Sequence, residues 1–316
     1  MNALVEIKKF IDQYRGAIRV ETLETVYCDV GTFNVELLEL SVDKRQRNKP
    51  FTLLLVAGCH GLEAIGVTVL LHHFAHVLEL TRWNHAFQQS LQSVRVVAIP
   101  ALNPCGIALS RRANAQGIDL MRNAPVHAES PVPFLGGQTL TPILPYYRGN
   151  GELAPESRAL ISAAQKLLSS SSGMIALDLH SGFGARDRIW TPWSMSSALP
   201  PHWDHYVALE KALNESFPDH VYTFEQQSHS YQTDGDLWDY ILMENLRQQG
   251  PLFLPLTLEM GSWNWLKKAP WRAFSKMGWF HPVSPHRVQR VCRRHITLLD
   301  FLVSVSANAE SFFKFN

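Results

Sequence analysis

Apolar and polar positions along the chain alternate between two periods. Leu4, Ile7, Phe10 and Ile11 share one stripe of a helix over residues 3–14. Two β-rich runs follow, Val20–Asp29 and Thr32–Val42, and the break at Val30–Gly31 predicts a hairpin. A charged loop over 43–50 leads into Thr52–Ala57, an unbroken apolar run of strand length. The period is helical again over 62–80, with Leu70, Leu71, Phe74, Val77 and Leu78 turned towards a sheet, and a short second helix covers 82–92. Val94–Ile99 is another buried strand. Strands at 174–179, 220–225 and 252–258 then alternate with helices at 156–169, 204–216, 235–248 and 285–304. This alternation predicts an α/β fold, a single domain over 1–316 whose mixed, mainly parallel twisted sheet of about eight strands lies between helices.

Three stretches break the pattern. Ala101–Asn123 is a polar connection too long for a simple link, and such loops tend to be functional. Residues 124–153 are rich in Pro and Gly and read as an ordered surface excursion. Trp263–Phe280 is aromatic and irregular, with Trp263, Trp265 and Trp271, like Trp279, read as packing residues.

Composition narrows the function classes. Net charge is +1 and no block of like charges occurs, which disfavours nucleic acid or an anionic membrane as the main partner. No run of about 18 apolar residues exists to span a membrane, and the first helix lacks the continuous apolar core of a signal peptide. Cys28, Cys59, Cys105 and Cys292 have no paired spacing and read as reduced thiols of a cytoplasmic protein. The pattern carries no information on oligomeric state.

The candidate chemistry sits at strand ends. Cys59–His60–Gly61–Leu62–Glu63 follows one apolar run, His180 closes a second and Glu259 closes a third. Ligands of open α/β sheets bind past the carboxyl ends of strands. His60, Glu63 and His180 make a two-His, one-carboxylate set suited to one catalytic Zn²⁺ with an open fourth position. Glu259 is then the carboxylate beside the attacking water. A developing oxyanion needs a cationic donor, Arg112 with Arg111 as its rival, and Arg122 offers a forked donor to a substrate carboxylate. His72, His73 and His76 are read as a polar helix face and Cys59 as a small buried hydrophobe.

These residues stand in motifs. A strand precedes His60–Gly61–Leu62–Glu63; Asn103–Pro104–Cys105–Gly106, Arg112–Ala113–Asn114 and Gly117–Ile118–Asp119–Leu120–Met121–Arg122–Asn123 follow; then come Asp178–Leu179–His180–Ser181, Tyr231–Gln232–Thr233–Asp234–Gly235 and Thr257–Leu258–Glu259. In that order they resemble the zinc carboxypeptidase superfamily of the carboxypeptidase A type, and the Arg112–Arg122 stretch most resembles the bacterial branch that includes murein peptide amidase A. The resemblance implies zinc on His60, Glu63 and His180, Arg112 at the scissile carbonyl, and Glu259 as general base and acid. It also implies that Arg122, with Asn123 beside it, grips the substrate's terminal carboxylate, and that Tyr231 covers that end. The family has Asn where Met121 stands, which removes one hydrogen-bond donor from the grip. The expected substrate is a peptide or an N-acyl amino acid. The alternatives are a deacylase like aspartoacylase or succinylglutamate desuccinylase, and a binding protein that keeps the fold without catalysis.

Overall fold

The computed structural model describes residues 3–41, 48–263, 265, 279–282 and 284–315. The loop expected at 43–50 and the aromatic run at 263–280, Trp271 included, lie largely outside the described residues.

The hairpin forms as β1 (Ile18–Cys28) and β2 (Gly31–Leu40). The apolar runs become β3 (Phe51–Ala57), β4 (Val94–Ile99), β5 (Gly173–Ser181) and, later in the chain, β8 (Leu252–Met260). Two short strands come between them, β6 (Arg188–Thr191) and β7 (Thr223–Gln226). The order across the single eight-stranded sheet is β1-β2-β4-β3-β5-β8-β6-β7. The central strands β4, β3, β5 and β8 run parallel, whereas β2 joins β4, and β6 joins β8, in antiparallel fashion.

Every residue of β3 and β5 is buried, which explains their largely apolar composition up to the polar carboxyl end of β5. Leu53 and Leu55 face the helices Ala3–Gln13, Ala64–Leu80 and Pro285–Ala307, while Leu54 and Val56 face Pro155–Ser169 and Leu237–Arg247. Each such leucine contributes about 2 kcal/mol by leaving water. Register then sets the site: Ala57 lies opposite Leu179 and His180 opposite Glu259. Three strand ends thus open side by side along one edge.

Two polar clusters fasten the helix Pro285–Ala307 to the rest. His73 does not share a solvated face with His72 and His76; it is fully buried, with Nε2 3.0 Å from Asp300 Oδ1. On the other side, His295 Nδ1 lies 2.9 Å from Tyr222 Oη, and burial pushes the imidazole down to about 4. A histidine whose folded pKa is below its unfolded value of about 6.5 lets the unfolded chain bind more protons in between. Its stabilisation is complete above that window and is lost as pH falls through it. Urea unfolding at pH 7 and pH 5 should therefore show a loss of about 2 kcal/mol that His295→Gln removes; equal losses in both proteins would exclude this source.

Candidate active site

β3 leaves the sheet at Gly58, whose φ of +65° starts the turn. Gly61 then passes so close to the neighbouring loop that a Cβ there would sit 2.0 Å from Gly106 C. The turn brings Glu63 between two imidazoles. Its Oε1 lies 2.9 Å from His60 Nδ1 and its Oε2 3.0 Å from His180 Nδ1, and Ser181 N–H donates to the same Oε2 at 2.9 Å.

A carboxylate also stands behind the far nitrogen of each ring. Asp119 Oδ1 lies 3.1 Å from His60 Nε2, and Asp178 Oδ2 lies 2.9 Å from His180 Nε2. Trp238 Nε1–H donates to that same Asp178 oxygen at 2.9 Å. Histidines that ligate metals characteristically have a carboxylate behind the second ring nitrogen, fixing tautomer and orientation. Ligand atoms of His60, Glu63 and His180 all lie within 4.8 Å of one another. The donor set and its backing therefore fit Zn²⁺.

The electrostatics agree. Burial alone raises a carboxyl, but the two imidazoles outweigh it and hold Glu63 well below the usual carboxylate range. Burial likewise disfavours a charged His180, yet Asp178 and Glu63 outweigh it and raise its pKa. This is a pocket of concentrated negative charge in which a divalent cation is favoured. Cys59 stays a buried hydrophobe: burial first, then Asp178, Asp119 and Glu63, keep its thiol protonated.

The long connection after β4 is ordered rather than structureless. Asn103 caps the short helix Pro104–Ala108, accepting from Gly106 N–H at 2.8 Å, while its amide donates to Cys59 O at 3.2 Å and Arg112 O at 3.3 Å. Asn114 accepts from Gln116 N–H and Ile118 N–H, both at 3.0 Å, and donates to Glu156 Oε2 at 3.0 Å. A 3₁₀ turn, Leu120–Arg122, closes the stretch. These bonds place Asp119 as a hub, its Oδ2 accepting from Arg112 Nε–H at 2.7 Å. Arg111 turns the other way and donates to Asn114 O.

A cavity of about 180 Å³ opens against the three strand ends. Arg112, Met121, Arg122, Tyr231, Asp236 and Glu259 line it together with the His–Glu–His cluster. Arg112 Nη1 is 3.5 Å from Glu63 Oε1. Tyr146, from the surface excursion, lies beneath both guanidinium groups, 5.2 Å from Arg112 and 6.0 Å from Arg122. Arg122 donates through Nη1 to Met121 O at 3.0 Å and through Nε to Leu135 O at 3.3 Å. Tyr231 packs against Phe183 and Trp190, with ring centroids 5.6 and 5.7 Å away, and burial pushes its hydroxyl up to about 12. Glu259 is 8% exposed, and its Oε2 meets no donor among the described residues. Burial is the main cause that pushes its carboxyl up to about 8; Glu63 and Asp178 add to it, while His180 and Arg112 oppose it.

Asn123 is the expected residue that is not in the cavity wall. Its amide donates to Arg148 O and Glu152 O, both at 2.9 Å, and its Oδ1 accepts from Ala154 N–H at 2.7 Å. Both N–H donors of its amide are spent on backbone loops, which leaves none for a substrate carboxylate. Sequence reasoning placed Asp119 and Asp178 in motifs without giving them a role, and it overlooked Tyr146 and Asp236. Asp178 did carry a signal: two residues before His180 on a strand, it shares that residue's face.

Residues 32–261 match the family described as zinc carboxypeptidase. Among solved structures, bovine thrombin-activatable fibrinolysis inhibitor in complex with tick carboxypeptidase inhibitor aligns with a TM-score of 0.67 at 17% identity, over 99% of this chain and 97% of that one. Carboxypeptidase A from Helicoverpa armigera gives 0.67 at 16% identity, over 96% and 72%. A metallo-carboxypeptidase from Pseudomonas aeruginosa, in complex with (2-guanidinoethylmercapto)succinic acid, gives 0.58 at 15% identity, over 98% and 69%. At such identities the structural likeness is one of fold. A search of curated protein sequences found no match.

Proposed function

Since the chain belongs to the zinc carboxypeptidase family and is thereby a zinc-dependent hydrolase of the metallopeptidase kind, we propose that it cleaves an amide bond next to a free carboxylate. One observation carries this reading: a buried carboxylate with an unpartnered oxygen, Glu259, shares a cavity with the His60–Glu63–His180 cluster and with two guanidinium groups. Zinc, held by His60, Glu63 and His180, would supply Lewis acidity and lower the pKa of water.

The chain's own residues do the rest. Glu259 takes the proton of the attacking water at Oε2 and returns it to the leaving nitrogen. Arg112 donates N–H to the carbonyl oxygen as negative charge builds there; its Nε bond to Asp119 fixes that aim beforehand. Arg122 receives the substrate's carboxylate, with the Tyr231 hydroxyl beside it in place of the donor that Met121 lacks. The four thiols are all free, which supports the reducing cytoplasm as the working compartment.

The test is a panel of N-acyl dipeptides, murein peptides and N-acyl amino acids offered to the purified protein. Turnover of peptides is expected to stop on chelation and to return with one equivalent of zinc. Turnover of N-acyl amino acids alone would make the chain a deacylase, and a protein that cannot be loaded with stoichiometric metal would overturn the reading.

A further inference from the structure

The surface excursion over 124–153 carries one aromatic residue, Tyr146, into the cavity wall, where it takes no step in the proposed reaction. The backbone at Tyr146 is left-handed, with φ +64°, and so is that of Phe134, with φ +66°. Aromatic residues seldom adopt this conformation, and it persists only where the surroundings enforce it. Gln138 enforces it here. Its buried side chain donates to Thr141 O, Leu144 O and Pro145 O and accepts from Leu140 N–H and Thr141 N–H. Its backbone N–H donates to Tyr146 O at 2.9 Å, and its carbonyl accepts from Arg148 N–H at 2.9 Å. The two left-handed residues meet ring to ring, Phe134 standing at 87° to Tyr146 with centroids 5.8 Å apart.

This frame is fastened to both arginines of the site. Asp119, which holds Arg112 Nε, donates its own N–H to Tyr147 O at 2.8 Å. Arg148 Nε–H donates to Arg122 O at 3.1 Å. Between these anchors the Tyr146 ring has Arg112 over it at 5.2 Å and Arg122 at 6.0 Å, the range in which an aromatic face attracts a guanidinium. A guanidinium carries its donors in a rigid planar fork, so its use to a substrate depends on where the fork points. Attraction to a ring face holds the fork and sets no oxygen in competition with the substrate for its N–H groups.

We propose that Tyr146 is a positioning residue, whose ring seats Arg112 and Arg122 at a fixed spacing so that one substrate meets the oxyanion donor and the carboxylate grip together. This rests on the roles given to those two arginines in the proposed hydrolysis. The ring does the seating, and the hydroxyl is not needed for it.

The probe is benzoylglycyl-phenylalanine, which has a scissile amide and a free carboxylate. In zinc-loaded Tyr146→Leu, kcat is expected to fall and KM to rise, lowering kcat/KM by at least about tenfold. Tyr146→Phe keeps the ring and should stay within about threefold of wild type. A role in the fold alone would lower the active fraction, and kcat with it, but leave KM unchanged. An unchanged KM in Tyr146→Leu, or a Tyr146→Phe as poor as Tyr146→Leu, overturns the proposal. Should Tyr146→Leu fail to fold, Tyr146→Asn, whose side chain suits a left-handed backbone, must show the same loss. Calorimetric binding of the peptide to zinc-loaded Glu259→Gln separates this from the hydrolysis itself. Binding that weakens at least about tenfold when Tyr146→Leu is added, and recovers with Tyr146→Phe, upholds the positioning even where no turnover is found. Equal turnover by wild type and Tyr146→Leu upholds hydrolysis and ends the role of Tyr146. A peptide that neither binds nor turns over ends both.

Discussion

Replacing Glu259 with Gln is expected to lower kcat by at least about a thousandfold while the protein still carries one zinc per chain, the size expected when a positioned general base is lost. The change keeps the shape of the side chain and removes its ability to take a proton. Glu259 stands across the β5–β8 pair from His180, at the mouth of the three strand ends. Its Oε2 has no donor among the described residues, and the side chain lines the cavity. Burial already disfavours the charged form and pushes the carboxyl up to about 8, and a neutral amide at this position is therefore not expected to weaken the fold. Turnover of a chromogenic peptide, zinc content by mass spectrometry and the melting temperature check the three parts separately. An unchanged kcat with zinc in place would remove Glu259 from the mechanism.

The site is readable from the sequence to the extent that it sits on strand ends. The runs 52–57, 174–179 and 252–258 are apolar but for Thr52, Asp178 and Thr257 because both faces of the sheet are covered, and such runs announce their own carboxyl ends. His60, His180 and Glu259 follow directly, and the sheet's register aligns them. The strand β6 is different. Four residues, Arg188–Thr191, are too few for a period, and pairing with β8 decides their conformation. Residues on loops are harder still. Arg122 and Asn123 are neighbours in sequence, but after the 3₁₀ turn one lines the cavity and the other fastens the segments around Arg148 and Glu152. Asp119 gains its place only when Asn103 and Asn114 have folded the connection around it. His73 shows the same limit in the core, where its partner Asp300 is 227 positions away.

Glu63→Gln is expected to weaken zinc binding by at least about a thousandfold, or about 4 kcal/mol. Both oxygens of Glu63 are committed, Oε1 towards His60 Nδ1 and Arg112, and Oε2 towards His180 Nδ1 and Ser181 N–H. An amide offers only one acceptor, so whichever way it turns, its NH₂ faces a donor or an imidazole nitrogen that a metal should claim. The substitution also deletes the negative charge that lies between the two rings, and the carboxylates left, Asp119 and Asp178, sit behind those rings rather than between them. A ligand that binds only the folded chain stabilises it by about 4 kcal/mol at a thousand times its Kd. Adding zinc should thus raise the melting temperature of the metal-free wild-type protein and leave that of Glu63→Gln unmoved. The contrast with Glu259→Gln is the informative part, because one variant loses the proton acceptor and keeps the metal while the other loses the metal that the proton acceptor serves. A Glu63→Gln protein that still holds one zinc per chain after dialysis against chelator would place the metal elsewhere.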